Sequence, residues 1–138
     1  MSRTALGRAT LLVLAVHVLH DLDHVRQGES ASTEVVVTAI LSWIWLIALV
    51  ALVARGHRLA VPAALAYGVA SAAGFLLVHF LPRWSAFSAP YGEQDADALS
   101  WVLAALPVAA GLWLAAQAAA GLRKGGRAGS ASSVPRNA

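Results

Sequence analysis

The chain contains no cysteine, and only 12% of its residues are charged. The first absence excludes disulfides, thiolate metal sites and covalent c-type haem attachment. The second excludes an ordinary soluble domain, which typically carries ~25% charged residues. With 59% hydrophobic residues, the chain has too little polar surface to stay in water. A mean hydropathy of +0.67 agrees. A glycine-rich phosphate loop is also missing, and no nucleophilic serine with a partnered base is apparent. Ser85 and Ser88 have nothing that fixes them near a histidine. The pI near 10.2 would suggest nucleic acid for a soluble protein, but the placement of the basic residues gives it another origin.

What the sequence does have is four apolar stretches. Length 138 suits one domain, and each stretch approaches the ~20 residues a membrane-spanning helix needs. Helices are expected at about 4–26, 33–55, 59–81 and 97–122. Arg8 can snorkel back from the first of them. Ser32 or Thr33 can cap the second. Pro62 falls in the first turn of the third, where its missing N–H costs little, and Pro82 ends it. Ala64/Gly68 and Ala70/Gly74 have spacings that let helix backbones approach closely. Asp95 or Asp97 suits the start of the fourth helix, and Pro107 is expected to kink it. The Gly/Ser/Arg-rich tail 123–138 is expected to be a disordered, basic cytoplasmic segment. The fold class is therefore all-α: an integral membrane four-helix bundle over residues 1–122.

Charge placement orients the bundle. With the N-terminus inside, Arg3, Arg8, Arg55, Arg58, Arg123, Lys124, Arg127 and Arg136 lie inside, eight of the ten basic residues. The positive-inside rule thus predicts both termini in the cytoplasm and a multi-pass protein of the cell membrane. All seven acidic residues fall on the outer side. A rival reading takes Arg3, Arg8 and the first apolar run as a signal peptide cleaved near Ser30-Ala-Ser32. The charges at 21–29 and the distance of that site from the apolar run weigh against it. The partner expected throughout is the lipid bilayer, with a second copy or another membrane protein also feasible. The basic tail fits anionic headgroups, not nucleic acid.

The chemistry concentrates in His17-Val-Leu-His20-Asp21-Leu-Asp23-His24. Steps of three and four return to one helix face, so His17, His20, Asp21 and His24 share a stripe and Asp23 lies on its flank. Ionisable residues inside a membrane mark function by default. His79, near the outer end of the third helix, should match the depth of His20 to His24. His57 falls in the cytoplasmic turn and cannot join them. Imidazole and carboxylate oxygen suit zinc, copper or iron, and His20/His24 have the i, i+4 spacing that lets one helix supply two ligands. The expected metal site is His20, His24 and His79, with Asp21 or His17 as fourth ligand and Asp23 placed to orient imidazoles. Zinc or copper is the expected ion. Glu93, Asp95 and Asp97 would make the vestibule acidic and concentrate cations.

Other readings compete. His79 with His17 or His20 could ligate haem, given space beside Gly68, Ser71 and Gly74. The histidines could form a proton or polar network without metal. They could be structural in an accessory subunit, with Asp21 or Asp23 paired to Arg26 and His79 bonded to a carbonyl. A metal with an open position could also serve an intramembrane oxidase or hydrolase. Trp43 and Trp45 are expected to pack or to face lipid. Tyr67 could hydrogen-bond between helices.

Overall fold

The computed structural model describes residues 3–28 and 32–131. Four long helices account for most of them: α1 (Arg3–Gln27), α2 (Thr33–Ala54), α3 (Ala60–Phe75) and α4 (Ala98–Ala131). Each is long and apolar enough to cross a membrane, α3 when counted together with the turn that continues it to Phe80. The expected bounds hold to within one or two residues, except at the ends of the third and fourth helices. Between α3 and α4 lie a π-helical turn, Leu76–Phe80, and a 3-10 turn, Tyr91–Glu93.

The caps follow from the sequence. The Ser32 side chain accepts the Val35 N–H at 3.3 Å and starts α2. Asp97 Oδ1 accepts the Ser100 N–H at 3.0 Å and starts α4. Gly28 and Gly56 end α1 and α2 with φ of 67° and 60°, the left-handed conformation that glycine adopts without penalty. Past the expected end at 122, α4 continues to Ala131, so the composition-based expectation of an unstructured tail is corrected over that stretch. Once a helix is established, each further residue adds a hydrogen bond without a new nucleus. Residues 132–138, and part of the Ser30-Ala-Ser32 stretch, lie outside the described residues.

The bundle divides into two halves. The half holding the start of α1 and the α2–α3 turn is packed with Leu6, Ala9, Val13, Leu46, Leu49, Ala64, Leu114 and Ala118. The opposite half, at the end of α1 and the start of α4, carries the polar groups. α3 and α4 make the closest helix pair. A Cβ on Gly68 would sit 2.5 Å from the Gly111 carbonyl oxygen, and one on Gly111 would sit 2.8 Å from that of Gly68. The Ala64/Gly68 spacing is therefore used for packing. The Ala70/Gly74 spacing is not: a Cβ on Gly74 meets nothing within 4 Å. α2 is the outlying helix, with 11% of its most apolar window buried against 44% for α4. α4 passes through buried Pro107 without ending.

Gly68→Ala should lower thermal stability of the detergent-solubilised protein by about 1–3 kcal/mol, the usual cost of overpacking. Gly74→Ala should leave it equal or raise it, since alanine is the better helix former. Equal behaviour of the two variants in a melting experiment would contradict the α3–α4 contact.

Candidate metal centre

The π-helical turn is what brings the two halves of the site together. Helix three keeps α geometry to Phe75 and then widens, closing with the Leu81 N–H on the Leu76 carbonyl at 3.3 Å. Such turns often occur at functional sites, and this one carries His79. The connection that follows folds back and satisfies the widened turn. The Ala89 N–H donates to the Val78 carbonyl at 2.9 Å, and Trp84 Nε1 donates to the Leu77 carbonyl at 2.8 Å. Ala89 also accepts from His79 Nδ1 at 3.2 Å. A carbonyl can only accept, so Nδ1 carries the proton and Nε2 keeps its lone pair free.

His20, His24 and His79 converge. One ring nitrogen from each can be chosen so that all lie within 4.8 Å of one another. His20 Nε2 and His24 Nε2 are 3.0 Å apart, and the His20 and His79 ring centres are 4.9 Å apart. His20 and His79 are buried and His24 is half-buried. His20 Nδ1 is buried without a regular hydrogen bond, although the Leu103 backbone of α4 lies beside it. The trio is walled by Phe75, 4.8 Å from His20, and by Tyr91, 4.6 Å from His79. Trp101 backs Tyr91 at 5.6 Å.

The other residues of the stripe have separate partners. His17 is buried, with Nδ1 3.0 Å from the Val13 carbonyl and Nε2 3.0 Å from the Tyr67 hydroxyl. The carbonyl forces the proton onto Nδ1, so Nε2 must accept from Tyr67. Tyr67 in turn accepts from Ser42 at 3.2 Å. The chain of hydrogen bonds runs from Ser42 through Tyr67 and His17 to the accepting Val13 carbonyl, and it occupies both His17 nitrogens. Asp21 accepts from Trp43 Nε1 at 2.6 Å, which makes Trp43 a polar partner as well as a packing residue.

Asp23 is fully buried at its side chain and accepts from Arg26 Nε at 2.7 Å and from Gln27 Nε2 at 2.6 Å. Arg26 also reaches Asp97 and Ser100, each at 3.0 Å. Asp23 thus anchors a latch between α1 and α4, and these bonds do not run to an imidazole. His57 lies exposed in the α2–α3 turn at the far end of the bundle, as its position predicts.

Phe75, Tyr91 and Ala89 are the members that sequence reasoning passed over. Phe75 had a signal, since it stands four residues before His79 on the same helix. Tyr91 and Ala89 sit in a connection whose path depends on the π-helical turn, and no sequence periodicity carries that.

The connection over the site is pinned by carboxylates. Glu93 accepts from Arg83 Nε at 2.9 Å and from the Arg83 N–H at 3.1 Å, and these bonds hold its carboxyl below the ordinary 4.5. The Ser100 N–H and the Arg26 guanidinium hold Asp97 below 3.8. Depressed values mean the stabilisation is fully present above the unfolded values and lost as pH falls through the folded ones. In a pH titration by NMR, the Arg83 and Ser100 amide shifts should stay constant down to pH 4.5 and then move with midpoints below 4.5 and 3.8 respectively. Midpoints at or above those values would contradict the pinning.

Comparison with protein-family models, with curated protein sequences and with solved structures gave no match to this chain.

Proposed function

We propose that this is a multi-pass membrane protein whose His20, His24 and His79 hold a transition metal ion, zinc or copper, for metal handling, sensing or assembly. The observation that carries the reading is the convergence of three ring nitrogens within 4.8 Å in the polar half of the bundle. Zinc–nitrogen bonds of ~2.0–2.1 Å in a tetrahedron set ligand nitrogens about 3.4 Å apart. The 3.0 Å between His20 and His24 is close to that, while the full set spreads to 4.8 Å, so the rings must shift to admit an ion. The Ala89 carbonyl on His79 Nδ1 is the outer hydrogen bond that ligating imidazoles commonly make, fixing the tautomer that leaves Nε2 as ligand.

Three protein ligands leave one tetrahedral position open, the pattern of sites that exchange or activate a fourth group. That openness is what the metalloenzyme alternative would use. Haem fits less well. A bis-histidine porphyrin needs its axial nitrogens on opposite faces of a wide slab, and these three imidazoles pack directly on one another, mostly edge to face, with Phe75 filling the side. His17 and Asp21 frame the centre without ligating it, and Asp23 holds α1 to α4. Charge segregation supports the orientation with both termini in the cytoplasm, which puts the trio in the outer leaflet of the cell membrane.

Protein purified without a histidine tag should carry about one zinc or copper per chain, in keeping with a single set of three converging imidazoles. His79→Ala and His20→Ala should lower metal affinity by roughly a hundredfold or more, at or above the loss seen for outer-shell changes. His17→Gln should leave metal content unchanged while lowering thermal stability. Metal analysis of the four proteins checks this. Wild type with less than a tenth of an equivalent after metal loading contradicts the reading.

A further inference from the structure

The trio borders a cavity of ≈ 990 Å³ between α1, α2 and α3, at the upper end of the ~300–1,000 Å³ typical of small-molecule sites. On α2 its lining runs from Ser32 to Trp45, a length of roughly 20 Å at 1.5 Å per residue. Most of its wall area is apolar, although polar side chains make up about half of the lining. Ile40, Leu41 and Trp45 line it while remaining 53%, 60% and 40% exposed, so the cavity opens on the outward side of the loosely packed α2. In a membrane that side is lipid.

The polar groups on its wall are unevenly satisfied. Ser71 is only 8% exposed and its Oγ makes no regular hydrogen bond, although the Tyr67 hydroxyl lies beside it. Gln94 Oε1 is likewise buried without a partner. Buried polar groups normally find partners, and among hydrocarbon none comes from solvent. These two offer a donor and an acceptor to a molecule in the cavity. Charge narrows its class. Asp21 lines the same cavity, as does Arg83; Arg83 is already paired with Glu93, so the charge of Asp21 disfavours an anionic head. A divalent ion on three neutral imidazoles disfavours a cationic one.

We propose that this cavity binds an uncharged, lipid-phase molecule with an apolar body and a hydroxyl or carbonyl head, whose oxygen takes the open position on the metal. The inference rests on the reading of the trio as a metal centre. Entry is sideways from the bilayer past α2. The apolar body lies between α2 and α3, beside Gly74, and Ser71 donates to a second oxygen where the molecule has one.

The test uses the full chain in lipid nanodiscs, zinc-loaded or zinc-free, with radiolabelled hexadecanol, palmitate and hexadecylamine as probes. Zinc-loaded protein should bind hexadecanol saturably and more tightly than either charged analogue. Removing zinc should weaken that binding roughly tenfold or more. Gly74→Leu projects into the cavity from a position where an added Cβ meets nothing within 4 Å. It should keep wild-type zinc content and melting temperature and lose hexadecanol binding. Equal binding of palmitate or hexadecylamine overturns the inference, as does unchanged binding in Gly74→Leu or in zinc-free protein. Zinc content on the same samples separates the two claims. Zinc-loaded protein that ignores hexadecanol overturns this inference alone, and wild type that takes no zinc overturns both.

Discussion

A polar side chain buried inside an apolar helix bundle must find its partner within the protein, because leaving it unpaired is costly. That requirement organises one half of this molecule. The end of α1 puts three histidines and two aspartates into eight residues, and each draws another element toward it. Asp23 draws α4 through Arg26 and Ser100. Asp21 draws α2 through Trp43. His17 draws α3 and α2 through Tyr67 and Ser42. His20 and His24 are left facing His79. The partners that remove the other groups from contention are also what leave these three together.

The opposite half works by close packing. Small residues let α3 and α4 approach until Gly68 and Gly111 nearly touch backbone to backbone. Rigid packing there and polar pairing at the other end have different consequences. The first fixes the α1–α3–α4 core. The second leaves α2 held by a few contacts, with a cavity beside it. The histidine trio built on α1 and the turn after α3 therefore sits at the edge of the rigid unit, beside the cavity next to α2. On the proposed function, that placement would allow ligand exchange at the centre and access from lipid.

Much of this could be read in the sequence. The four helices followed from apolar length and caps, and the grouping of His20, His24 and His79 followed from helical spacing plus topology. The separation of His57 followed from the same topology. Helical spacing could not tell which members of a stripe share a target, because one face 25 residues long meets several neighbours in turn. His17, only one turn below His20, meets Tyr67. Asp21 meets Trp43, whose indole N–H looks apolar in any hydropathy count. The π-helical turn was illegible, since it depends on how the Ala89 backbone and Trp84 satisfy carbonyls at 77 and 78. The helix beyond 122 was missed because glycine and serine content outweighed the momentum of an established helix.

The central claim is a three-imidazole centre with one position left open. X-ray absorption spectroscopy at the zinc edge of the loaded protein tests it most directly. The account predicts three imidazole nitrogens at ~2.0–2.1 Å and one further light atom in the first shell, with a spectrum unaltered in His17→Gln. Four imidazoles, a shell made mostly of carboxylate oxygen, or loss of an imidazole in His17→Gln would contradict it.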